Sequence, residues 1–90
     1  MNFVNHLLKE KMIMERTPDN VIDSTKYRAG IKTNKQLAER IGLIPQTLSH
    51  KRKYPSTFTG GDIATLSKLL SWSDEEIATF IRGILKCREQ

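Results

Sequence analysis

The chain has 90 residues and a mass of 10.3 kDa, room for one small domain. Hydrophobic residues make up 38%, too many for a disordered tail and too few for a membrane protein, and the formal net charge is +5. No P-loop or GxGxxG appears, and the single Cys87 rules out an intramolecular disulfide, so a reducing cytoplasm is the expected setting.

Near the N-terminus Phe3, Val4, Leu7 and Leu8 are interrupted by Asn5 and His6, and Lys9, Glu10 and Lys11 follow at once. Neither an export signal nor a membrane span is expected from such a stretch. Residues 1–15 suit an amphipathic helix with Phe3, Val4, Leu7, Leu8 and Met12 inward. The reading over 1–16 is an added arm that packs on the core or on a second subunit.

Thr17-Pro18-Asp19 marks a helix start, with Val21, Ile22, Thr25 and Ala29 as its inner face up to Gly30. Ile31 then tucks the connection onto the core. Thr33 is placed to cap a helix over 34–41 that carries Leu37, Ala38 and Ile41 on one face, and Gly42 ends it. Pro45 opens another short helix running to about Arg52. Residues 53–61 hold Pro55, Ser56, Thr57, Gly60 and Gly61 and read as a loop.

Ile63, Leu66, Leu69 and Leu70 form the next helical stripe, with Thr59 or Gly61 as its cap. In the last helix Ile77, Phe80, Ile81, Ile84 and Leu85 follow helical spacing. Ser73 and Glu76 make a capping box, and Lys86 and Arg88 sit at the negative end of the dipole. Trp72 is expected as an anchor between the last two helices, Tyr54 as packing under the loop, and Cys87 as a small apolar residue or a free surface thiol. No segment alternates with period two. The expected fold is all-α, a compact bundle of five or six short helices, with the main domain over 18–86.

The charge is unevenly placed. Between Lys26 and Lys53 eight cations face Glu39 alone, a local net of +7, while the remainder of the chain sums to −2. Over the same stretch two short helices, 34–41 and 45–52, are joined by a tight turn. Ala38 is small where the second helix crosses, Gly42 can take the left-handed conformation, and Leu37, Ile41, Leu43 and Leu48 lock the angle. This is the physical recipe of a helix-turn-helix at 34–52, whose second helix can enter a DNA major groove.

With Leu48 inward, Gln46, His50 and Lys53 fall within about 40° of the opposite direction on a helical wheel, flanked by Thr47 and Ser49. Gln pairs bidentately with adenine, and Ser, Thr and His donate to or accept from several bases. Phosphate contacts are expected from Thr33, Asn34 and Lys35 at the start of the first helix. Lys51, Arg52, Lys53 and Tyr54 are the corresponding candidates at the end of the second, and Thr57 and Thr59 are weaker ones.

These residues resemble the Cro/repressor-type (XRE-like) helix-turn-helix family. The resemblance covers residues 20–85 and rests on Leu37-Ala38-Glu39-Arg40-Ile41-Gly42, on Leu48-Ser49, and on the loop and apolar helix that follow. It implies a lambda-repressor-like domain that binds double-stranded DNA as a small transcriptional repressor of the phage or mobile-element type, commonly as a homodimer. It maps the base-reading positions onto Pro45, Gln46, Ser49 and His50, with Pro45 limited to apolar contact. The chain departs from the family at Ile44, where a Ser or Thr cap is usual, and at Lys51, where an apolar residue is usual.

No cofactor, metal or catalytic role is expected: His6, His50 and Cys87 are scattered, and no acid orients Ser49-His50. The rival reading is a protein-interaction module, such as an antitoxin or an adaptor on the same scaffold.

Overall fold

The computed structural model describes residues 17–88, and the arm expected over 1–16 lies outside them. Among the described residues the chain is all-α. Its helices are α1 (Pro18–Thr25), α2 (Asn34–Ile41), α3 (Pro45–Lys53), α4 (Gly60–Leu69) and α5 (Asp74–Arg88), with 3-10 turns at Lys26–Ala29 and Pro55–Thr57. No helix among them is long and apolar enough to cross a membrane.

Local chemistry explains most boundaries. Thr17 caps α1 by accepting from the Asn20 N–H at 3.1 Å, with Pro18 in the first turn. Capping boxes open three further helices: Thr33 with Gln36, Thr59 with Asp62, and Ser73 with Glu76. Helix α1 stops at Thr25, earlier than the pattern up to Gly30 implies. Thr25 turns its hydroxyl back onto the Val21 carbonyl at 2.8 Å, and the chain tightens into a 3-10 turn.

Gly42 ends α2 at φ 78°, and the Leu43 N–H then reaches back to the Ala38 carbonyl at 2.9 Å. That left-handed cap reverses the chain into α3. Ser71 closes α4 in the same way at φ 52°, with the Trp72 N–H bonded to the Ser67 carbonyl at 2.9 Å. A non-glycine residue holds this conformation because both flanks are fixed. Arg28 donates to the Leu70 and Ser71 carbonyls, and Trp72 is buried on the other side.

The core is one cluster drawn from every helix: Val21 and Ile22 of α1, Leu37 and Ala38 of α2, Leu48 of α3, Leu66 of α4, and Phe80 and Ile84 of α5, with Leu70 and Trp72 at the bend. Trp72 is the anchor expected of it. Its ring lies 4.8 Å from that of Phe80, and its indole N–H donates to the buried Thr25 hydroxyl at 2.8 Å.

Gly83 lets α1 press on α5: a Cβ there would stand 2.6 Å from Pro18 Cδ. Phe58, inside the segment read as a loop, is also buried, with its ring 5.2 Å from that of Phe80. The α5 stripe is wider than the core it meets. Phe80 and Ile84 are buried, whereas Ile81 and Leu85, expected inward, are 39% and 50% exposed.

Candidate functional site

Helix α3 is the least self-sufficient of the helices. Only Leu48 is buried, and Ile44 at its N-cap supplies no side-chain hydrogen bond. Its place is fixed by partners on other elements. Asn34, the first residue of α2, donates its side-chain amide to the Ser49 hydroxyl at 3.1 Å and to the Pro45 carbonyl at 3.4 Å. The start of α2 is thereby stapled to α3.

With Leu48 inward, α3 turns Gln46, Ser49 and His50 to solvent, with Pro45 and Thr47 half-buried beside them. Gln46, Thr47 and His50 form one wall of a shallow open groove, which Lys51 and Thr57 complete. The His50 and Tyr54 rings lie 5.0 Å apart, and the Lys53 ammonium sits 5.5 Å over Tyr54. Tyr54 was expected under the loop. It is instead 49% exposed, because Pro55 and Phe58 fill that space.

Half of the cations in the basic stretch are paired within the fold. Lys26 pairs with Asp23 at 3.3 Å, Arg28 with Glu76 at 2.8 Å and Lys51 with Asp62 at 2.9 Å, while Arg52 pairs with both Asp19 and Asp23. Lys32, Lys35, Arg40 and Lys53 are exposed and have no ion pair among the described residues.

Two expected phosphate ligands are therefore placed by carboxylates instead. The Lys51 side chain, only 14% exposed, also donates to the Thr57 carbonyl at 2.8 Å. Thus Lys51 ties α3 to the loop and to the first turn of α4. Arg52, also 14% exposed, donates to Asp19, to Asp23 at 2.6 Å and to the Asn34 side-chain oxygen at 3.1 Å.

Titration follows this wiring. Burial works against the Arg52 charge, but its hydrogen bonds to Asp19 and Asp23 outweigh it and raise its pKa. Burial pushes Asp23 up as well, yet Arg52 and then Lys26 hold it below the ordinary carboxylate value. Asp62 is likewise pushed up by burial, and the Thr59 N–H and Lys51 bring it below. Hydrogen bonding to Glu76 raises Arg28.

Of the other expected phosphate residues, Thr33 uses its hydroxyl oxygen as the α2 cap and Lys35 extends into solvent. Among the weaker candidates, Thr57 donates its hydroxyl to the Tyr54 carbonyl at 2.7 Å and Thr59 caps α4. Sequence reasoning missed the acids Asp19, Asp23 and Asp62. The i, i+4 spacing of Asp19 and Asp23 puts both carboxylates on one face of α1 and was a legible signal. That this face meets the end of α3 was not.

No protein-family model, curated protein or solved structure matches the chain. The resemblance to Cro/repressor-type regulators rests on the chain's own residues.

Proposed function

We propose that the protein binds double-stranded DNA sequence-specifically through α3, as a small transcriptional regulator. The observation that supports this most is the outward face of α3. Gln46, Ser49 and His50 are solvent-exposed on a helix seated against the start of α2, with Lys35 and Lys53 exposed nearby. Polar side chains of this kind read base edges, and unpaired cations beside them meet phosphates. With Arg52 and Lys51 paired internally, the proposed phosphate contacts are Lys35 and Lys53, supplemented by Lys32, Arg40 and the α2 N-terminus. Each phosphate neutralised adds about −0.9 to the slope of log affinity against log salt.

The test is selection of sites from a random duplex library, followed by anisotropy titrations of the recovered site. Replacing Gln46 and His50 together by Ala is expected to weaken the selected site about ten- to a hundredfold and to leave non-specific duplex binding intact. Equal binding of both duplexes by both proteins would refute base reading.

Ile81 and Leu85, exposed on α5, favour a second element of the reading, association through that helix. A second copy there would present two copies of α3 to half-sites about 34–36 Å apart. If α5 instead grips a different protein, the rival interaction-module reading applies. Light scattering of the complex with the selected duplex distinguishes them: two chains on a palindromic site support the dimer, and one chain on an asymmetric site refutes it.

A further inference from the structure

Resting on the reading of α3 as the DNA-facing helix, we propose that Arg52 is a positioning residue. It seats α3 on α1 and, through Asn34, sets which way the Ser49 hydroxyl faces, without itself touching phosphate. The guanidinium is shared out among three residues on two other helices. Its Nε donates to Asp19, its Nη2 to Asp23 at 2.6 Å and its Nη1 to the Asn34 side-chain oxygen at 3.1 Å. A planar fork serves them from three separate nitrogens, whereas the three N–H groups of an ammonium diverge from a single one and do not match that spread. To reach a phosphate, Arg52 would have to leave two carboxylates, and its side chain is only 14% exposed.

The consequence runs one residue further. A guanidinium only donates, so it fixes the Asn34 oxygen toward itself and the Asn34 NH2 toward Ser49. That NH2 donates to the Ser49 hydroxyl oxygen at 3.1 Å. Ser49 therefore acts as an acceptor on its inner side and carries its own O–H outward. A donor at that place favours a base edge that accepts, such as guanine O6 or N7, or adenine N7, over the cytosine amine. The most basic-looking residue of α3 thus contributes to specificity through hydrogen-bond direction instead of charge.

Arg52→Met, Arg52→Lys, Asn34→Ala and Ser49→Ala are compared in the same duplex selection and salt titrations, with far-UV circular dichroism confirming the helical fold. Arg52→Met, Asn34→Ala and Ser49→Ala are expected to lose preference at the same one base-pair position, each weakening the selected site about three- to tenfold, the scale of one neutral hydrogen bond to a base edge. The salt slope of Arg52→Met stays at the wild-type value, and Arg52→Lys does not restore the lost preference.

A slope shallower by about 0.9 in Arg52→Met, recovered in Arg52→Lys, makes Arg52 a phosphate ligand and overturns the proposal. So does an even loss of preference at every position. Should Arg52→Met fail to fold, Arg52→Lys decides: it keeps the charge, so loss of preference at the Ser49→Ala position supports the proposal and an unchanged preference overturns it. A wild-type protein that enriches no sequence defeats the DNA reading itself. Nuclear magnetic resonance then decides the Arg52–Asn34–Ser49 relay alone: the Asn34 side-chain NH2 and Ser49 amide signals move in Arg52→Met or in Arg52→Lys, or the relay is wrong.

Discussion

Helices α3 and α5 are held in the fold by opposite means. Helix α5 (Asp74–Arg88) opens on a capping box, has Asp74, Glu75 and Glu76 in its first turn, and buries Phe80 and Ile84 in the core. Helix α3 (Pro45–Lys53) has no side-chain cap and buries only Leu48. Its last turn is instead anchored by Lys51 to Asp62 and by Arg52 to Asp19 and Asp23. The difference teaches how a helix can keep one face free. A helix wrapped in apolar contacts on every side would leave no face open. Ion pairs at one end and an amide staple at the other hold α3, while Gln46, Ser49 and His50 remain open.

Three perturbations would break or sharpen this contrast. The largest effect belongs to the apolar side. Gly83→Ala places a Cβ 2.6 Å from Pro18 Cδ, on a ring that cannot swing aside. A loss of about 1–3 kcal/mol is expected as α1 is pushed off α5. Urea unfolding measures it, and an unchanged midpoint would mean that the two helices separate freely.

The next probe acts on the charged side. Asp23 and Asp62 titrate below the ordinary value of 3.8 in the folded protein. Their stabilisation is therefore complete above about pH 5 and is lost as pH falls through and below 3.8, where the folded carboxyls take up protons. Each pair is partly solvated and contributes less than about 1 kcal/mol. Thermal unfolding between pH 7 and pH 3 should show this fall, and it should be shallower in an Asp23→Asn, Asp62→Asn double variant. Equal slopes in the two proteins would remove the ion pairs from the account of α3.

The smallest effect repairs what α3 lacks. Ile44 is 62% exposed at the N-cap, with a ψ of 151° that already suits a capping residue. Ile44→Thr is expected to stabilise the protein by about 0.5 kcal/mol or more by satisfying a free N–H. A shift of the unfolding midpoint upward checks it. A downward shift would give Ile44 a packing role that its exposure argues against.

Much of the fold was legible in the chain because its signals are local. Thr33, Thr59 and Ser73 cap the helices that their patterns open, Gly42 ends α2, and the inward residues Leu37, Leu48, Leu66 and Phe80 follow helical periodicity. The outward face of α3 was legible for the same reason, since one buried Leu48 orients its whole wheel. Ile81 and Leu85 mark where periodicity overreached. It reports that an apolar stripe exists, but not how much of that stripe a neighbouring helix covers.

Charge was the property that the chain alone described least well. Its +7 over residues 26–53 is real as a sum, and by itself it points to a basic surface. The tertiary structure decided otherwise for three of those cations, Arg28, Lys51 and Arg52, by bringing Asp19, Asp23, Asp62 and Glu76 to them across gaps of 11 to 48 positions in sequence, while Lys26 pairs locally with Asp23. Helical geometry acts over three or four residues and can be read from spacing. Ion pairing acts over ångströms in space, and the fold alone decides which charges come within reach.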